Sequence, residues 1–408
     1  MANTVINTPE LLNLDSTTGA TVLAKGTISA RPPSATDGTL RFNTDTNKTE
    51  YFDGTGWYEI VDEYASGFVG PGTNYFDTKL YTGNGTNKSI STLNFQPGLT
   101  WVKARDAAHD HVLVDSVNGA GSNKGLSSNA TYTEGQYTAT YGYISSLDSN
   151  GFTVSAGSSY ANYTNVNNED YVSWNWKAGG TAVTNNDGTI PSQVSANKDS
   201  GFSIVKYTGN GVAGATVGHG LGTPPDLIIL KLLDVTKDWY VFSELLGQSG
   251  GEYKYLELNT SDAATTFSTQ QVWNGVLPTS DVFTLTGGSA DNLNNNDYIA
   301  YCFRSVSGYS KIGTYAGNSS TNKITLDFAP SWVMIKLYDV AGGNWFIYDN
   351  KRNPSNPADL QLKADTSAAE TDTGATYELN FLSDGFELQG AGGAVNYSGR
   401  NYLYMTFA

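Results

Sequence analysis

Apolar residues along the chain fall in short runs closed off by Gly, Asn, Asp, Ser or Pro. The runs "LTWVKA", "LIILKL" and "WVMIKL", at 99–104, 227–232 and 332–337, are rich in β-branched and aromatic residues and read as buried strands, although short apolar runs alone do not exclude helix. Pro stands shortly before each, at 97, at 224 and 225, and at 330; it disfavours helix and lacks a ladder donor, so a strand starts only after it. A second aromatic run follows within about a dozen residues, "HVLVDS", "WYVFSE" or "WFIYDN", as in a meander. Alternation in "YVSWNWKA" and "YLYMTFA" predicts sheets that bury one face.

These runs belong to a repeat. Openings recur at Tyr81 ("YTGNGT"), Tyr207 ("YTGNGV") and Tyr315 ("YAGNSS"), and endings recur at 151–178, 282–305 and 385–408. Lys103, Lys231 and Lys336 stand 128 and 105 residues apart, while Tyr171, Tyr298 and Tyr402 stand 127 and 104 apart. Both ends keep step, so the repeat is a duplicated domain. Each copy has about a hundred residues with strands at sandwich spacing. The expected fold is all-β: an N-terminal β-hairpin module over 1–61, a Gly-rich connector over 62–78, and three tandem antiparallel, jelly-roll-like β-sandwiches over 79–178, 201–305 and 306–408. Residues 179–200, with few large apolar side chains, are expected to be a linker.

Near the front, "TLRFNT" and "KTEYFDG" alternate around "DTN", with Trp57 to cover the pair. A lone hairpin is marginal in water, so this one needs partners.

Composition narrows the function. Lys and Arg number 23 against 39 Asp and Glu, a formal charge of -16, with no basic stretch. Nucleic-acid binding through phosphates is not expected. No apolar run approaches the roughly 20 residues of a spanning helix, and the first residues lack the basic and apolar regions of a secretory signal. Cys302, the single cysteine, is expected to be a buried thiol. Walker loop and zinc helix are absent from the sequence. His109 and His111 would share one face of an extended segment and are candidate metal ligands, but solvated residues at a strand start are the expectation. His219 reads as a loop residue. The Asn/Asp clusters at 185–188 and 291–297 read as turns and do not match a calcium loop. Asp106, Asp234 and Asp339 read as solvated strand ends, and Trp174 and Trp176 as core. No catalytic, cofactor or metal site is assigned.

Residues 30–60, with Arg31-Pro32, Gly38, Arg41-Phe42-Asn43-Thr44, Glu50-Tyr51-Phe52-Asp53-Gly54 and Trp57, resemble a module that recurs in tail fibres and other virion proteins of tailed bacteriophages. The repeats, with "FQPGLTWVKARD", "YGYISSLDSNGFTV" and "YVSWNWKAGG", resemble a domain of virion proteins of marine phages, including those infecting cyanobacteria; the second and third copies are more divergent. The resemblance implies a non-enzymatic tail fibre or spike, made in the bacterial cytoplasm and located on the virion. It would dock through its N-terminus and adhere to the host surface. Leu11, Leu12, Leu14, Arg41, Phe42, Tyr51 and Trp57 are the candidate attachment residues. Implied partners are further copies in a homotrimer, other tail or capsid proteins, and a host-surface glycan or protein; the receptor-binding residues are not identified. A capsid-surface fibre or decoration protein is the alternative, and a polysaccharide depolymerase a second.

Overall fold

The computed structural model describes residues 24–46, 48–59, 72–136, 138–158, 163–267, 272–288, 290–374, 378–390 and 394–408. They form strands, short 3-10 turns and loops, in sheets that are antiparallel apart from one short parallel pairing in the N-terminal unit and an isolated parallel bridge between Ile190 and Val217. No helix among the described residues is long and apolar enough to cross a membrane. The chain divides into two compact units, residues 1–66 and 67–408.

The first unit carries a four-stranded sheet. Leu40–Asn43 and Lys48–Phe52 make the expected hairpin; Trp57–Glu59 pairs with the second strand, and Lys25–Gly26 pairs in parallel with the first. The turn before Trp57 is set by Asp53, whose carboxylate accepts from the Thr55 and Gly56 backbone amides and the Thr55 hydroxyl. Gly54, at φ +90°, supplies the left-handed step.

In the second unit each repeat has a main sheet containing four equivalent strands. They comprise an opening strand (Phe76–Thr82, Phe202–Thr208, Ser310–Ala316), a closing strand (Asp170–Trp176, Asp297–Phe303, Asn401–Phe407), a lysine strand (Leu99–Ala104, Leu227–Leu232, Trp332–Leu337) and a third strand (Val112–Asp115, Trp239–Phe242, Trp345–Asp349). The order is opening, closing, lysine, third in every copy. A smaller sheet packs on one face and encloses a separate apolar core in each sandwich.

The opposite face of all three main sheets is also buried, in one shared core. Successive positions alternate between the two: Val172, Trp174 and Trp176 face the shared core, while Tyr171 faces the core of its own sandwich. Trp176, Phe303 and Phe407, equivalent in the three closing strands, meet with ring centroids 6.4, 5.8 and 6.0 Å apart. That closed triangle places a pseudo-threefold axis between the repeats. Sheets buried on both faces explain why every residue of the lysine strands is buried, and the expectation of sheets burying one face fails here because each repeat faces two neighbours.

Equivalent hydrogen bonds run around the ring. Glu134 N donates to Leu233 O at 2.8 Å, Ala264 N to Tyr338 O at 2.7 Å, and Glu370 N to Arg105 O at 2.6 Å, joining first to second, second to third and third to first. Trp239 Nε1 donates to Ser127 O and Trp345 Nε1 to Glu257 O; at the third interface His111 Nε2 takes the same role toward Lys363 O. The three sandwiches are therefore one body.

Residues 179–200 are not a linker. Val183–Asn185 and Ser192–Asn197 are strands that extend the second repeat's main sheet beyond its opening strand. The short distance from Phe303 to Ser310 leaves no room for such strands before the third repeat.

Candidate functional site

The candidate attachment residues in the first unit separate onto two faces. Arg41 and Trp57 share one, with the guanidinium 5.7 Å from the indole centroid. Glu50 is buried beneath, bridged by Arg31 at 2.6 Å and Arg41 at 3.4 Å and accepting from Asn43 Nδ2 at 3.0 Å. Hydrogen bonding from Arg31 first, then Asn43 and the guanidinium charges, holds this carboxyl below the usual carboxylate range against the opposing effect of burial. Phe42 and Tyr51 lie on the other face, where Leu40, Tyr51 and Tyr58 are directly paired across three strands and 42, 38 and 48% exposed. The two tyrosine rings are 5.9 Å apart. Sequence reasoning missed Leu40 and Tyr58, although strand alternation with Phe42 and Tyr51 carries the signal. Leu11, Leu12 and Leu14 lie outside the described residues.

The repeated "Y-x-G-N" opening is a lock. Tyr81, Tyr207 and Tyr315 stack on Tyr171, Tyr298 and Tyr402 at 5.1, 5.1 and 4.9 Å. Their hydroxyls donate to the carbonyls of Thr164, Asp291 and Val395. The residue after each of those carbonyls is a fully buried asparagine, Asn165, Asn292 or Asn396. Its Oδ1 accepts from the backbone of Asn84, Asn210 or Asn318, and its Nδ2 donates back to that residue's side chain. A Cβ on Gly83, Gly209 or Gly317 would overlap the carbonyl following the buried asparagine. These asparagines were not singled out from sequence, but each stands six residues before the closing-strand tyrosine.

The other polar candidates are also structural. Asp106, Asp234 and Asp339 are not merely solvated: each accepts from the backbone amide that starts a closing strand, at 3.1, 2.5 and 3.0 Å. Lys103, Lys231 and Lys336 are fully buried on the shared-core face, each donating to two carbonyls; Lys231 reaches Thr131 O in the first repeat and Lys336 reaches Thr260 O in the second. Burial pulls all three ammonium groups down to about 8. Cys302 is buried as expected, which pushes its thiol up to about 12. His109 pairs with Glu169 at 3.0 Å, and His219 is buried against Thr279 O. His111 is fully enclosed, contrary to the solvated reading, because it fills the position occupied by tryptophan in the other repeats. The described residues hold no group of three His, Cys, Asp or Glu side chains placed to share a metal ion.

The interface between the third and first repeats has no connecting segment and carries an ion pair across it. Arg105 bridges Glu370 at 2.8 Å, Arg352 bridges Glu370 at 2.9 Å and Asp349 at 2.6 Å, and Trp174 Nε1 donates to Asp349 at 3.0 Å. At the equivalent place Tyr301 donates to Asp115; the equivalent positions for the remaining interface are Met405 and Ser243, so donor and charged acceptor are both replaced there.

Residues 71–408, well over half of the chain, match a family described as a domain of unknown function, DUF7483. The chain belongs to the DUF7483 family. The match begins just ahead of the first opening strand and takes in all three repeats, so this DUF7483 region corresponds to the whole ring. No curated protein and no solved structure matches the chain.

Proposed function

We propose that the chain is a non-enzymatic structural protein of a tailed-phage virion, a tail fibre or spike that docks through its N-terminal unit and uses the DUF7483 ring for host-surface adhesion. The supporting observation is the shared core: three sandwiches held as one body give a rigid scaffold on which surface loops vary at little structural cost. The sequence resemblance supplies the virion setting. A homotrimer belongs to this reading through the N-terminal unit, because the ring already fills its own central core. Cryo-electron microscopy of virions from a phage encoding the chain tests the proposal. Density for the chain at a tail appendage is expected; its absence from particles overturns the reading, and a position on the capsid lattice replaces it with the head-fibre or decoration alternative.

One observation favours the depolymerase reading instead. Glu257 is half-buried beside Asp238 and Asp262 and lines a small cavity; burial, then those two charges, raises it to about 7, suited to a general acid. Release of reducing sugar from host envelope material, abolished by Glu257→Gln, would support it. No turnover would reject it.

A further inference from the structure

The connection between the first and second repeats builds something that the second connection does not. The first closing strand ends at Trp176 and the next repeat opens at Phe202, whereas the second ends at Phe303 and the third opens at Ser310. The added residues cap a sheet edge and also wall a groove of about 760 Å³ against the segment 96–98 of the first repeat. Insertions that distinguish otherwise equivalent repeats commonly shape a binding face.

The walls are fixed by hydrogen bonds. Gly98 N donates to Trp176 O and Ser116 N to Gly98 O, both at 2.7 Å; Ser195 Oγ holds Gly180 O, and Arg304 Nη2 holds Lys198 O. Gly98 and Gly179 sit so close to Ala178 and Ala196 that a Cβ on either would overlap. The volume lies within the range of small-ligand sites, roughly 300–1,000 Å³.

Lys177 and Lys198 line the groove with one carboxylate, Asp199, giving local positive charge on a chain of formal charge -16. Lys177 Nζ lies 5.2 Å from the Tyr75 ring centroid. Gln96, Ser116 and Thr181 add groups suited to hydroxyls. Two cations are too few to follow a nucleic-acid backbone, but they suit a carboxylated sugar chain, whose hydroxyls engage the remaining polar wall. We propose that this groove binds a short acidic oligosaccharide; the inference rests on the adhesion reading and names its ligand class.

The test is isothermal titration of the full chain with tetragalacturonate and, as a neutral probe, maltotetraose. Binding of the uronate is expected, with affinity falling as salt rises, the neutral probe at least about tenfold weaker, and Lys198→Ser losing about tenfold. Thermal melting checks that variant's fold; Thr181→Ala, on the exposed rim, provides a second change expected to weaken binding. Equal affinity for both sugars, no binding of either, or binding unchanged in both variants overturns the proposal. Adhesion to host cells that survives both substitutions would overturn the groove and leave the adhesion reading standing. Absence of the chain from virions would remove the adhesion reading while oligosaccharide binding remains measurable.

Discussion

Replacing His111 with glutamine takes a titratable ring out of the interface that closes the three repeats. Trp101 Nε1 donates to His111 Nδ1 at 2.8 Å; an indole nitrogen only donates, so the imidazole is neutral with its proton on Nε2, 3.0 Å from Lys363 O. Protonation would set two donors against each other. Burial first, then the nearby Lys103 charge, depresses this imidazole well below the ordinary histidine range, while the Lys363 and Thr366 backbone groups oppose the shift. Below about pH 6.5 the unfolded chain binds a proton that the folded chain refuses. Stability from this group is therefore complete above that pH and is lost as pH falls, at about 1.4 kcal/mol per unit, reaching at most about 2 kcal/mol by pH 5. A glutamine can accept from the indole and donate to the carbonyl without titrating. Urea unfolding at pH 7.5 and 5.0 should show the wild type losing up to that amount relative to His111→Gln, with carboxylate titration common to both chains cancelling in the difference. Identical pH dependence in the two would refute the reasoning.

Trp101 and His111 correspond to Ile229 with Trp239 and Met334 with Trp345, so His111→Trp alone should overpack by about 1–3 kcal/mol and Trp101→Ile should rescue it in calorimetry. The buried lysines have folded values near 8, below the unfolded 10.5, so their destabilisation is full below about pH 8 and relieved as pH rises toward 10.5; wild type minus Lys231→Met stability should increase across that window in denaturant titrations. Asn292→Ala leaves the Asn210 backbone amide without its side-chain acceptor and should cost about 1–3 kcal/mol, measured by thermal unfolding. Gly209→Ala should cost more than Gly56→Ala in thermal unfolding, since neither position has a left-handed backbone but a Cβ at the first overlaps Leu293 O, whereas at the second it meets only the Tyr58 ring at ordinary contact distance.

The sandwiches, their three copies and the hairpin were legible in sequence because strand period, turn residues and spacing are local or repeat at fixed lag. The ring was not, because its bonds join residues as distant as Arg105 and Glu370, and a repeat does not reveal which faces its copies share. Lys103, Lys231 and Lys336 held a clue: a lysine at one place in three apolar strands needs a shared acceptor arrangement. The strands within 179–200 escaped notice because an edge hairpin covers little apolar surface, and "SQVSAN" shows correspondingly weak alternation. His111 was misread because its segment was weighed alone as a histidine pair, although aligning "HVLVDS" with "WYVFSE" and "WFIYDN" places it where the other copies carry tryptophan. In the N-terminal unit, alternation around the turn exposed the hairpin but not the buried Glu50 network, whose partners Arg31 and Asn43 are not supplied by any one strand's alternation.

Differential scanning calorimetry of the full chain, comparing calorimetric with van't Hoff enthalpy for the 67–408 unit, tests the shared core most directly. One transition with the two enthalpies equal is predicted, because no repeat can unfold without exposing the core of the others. Three separable transitions, or a calorimetric enthalpy near three times the van't Hoff value, would show independent sandwiches and contradict the account.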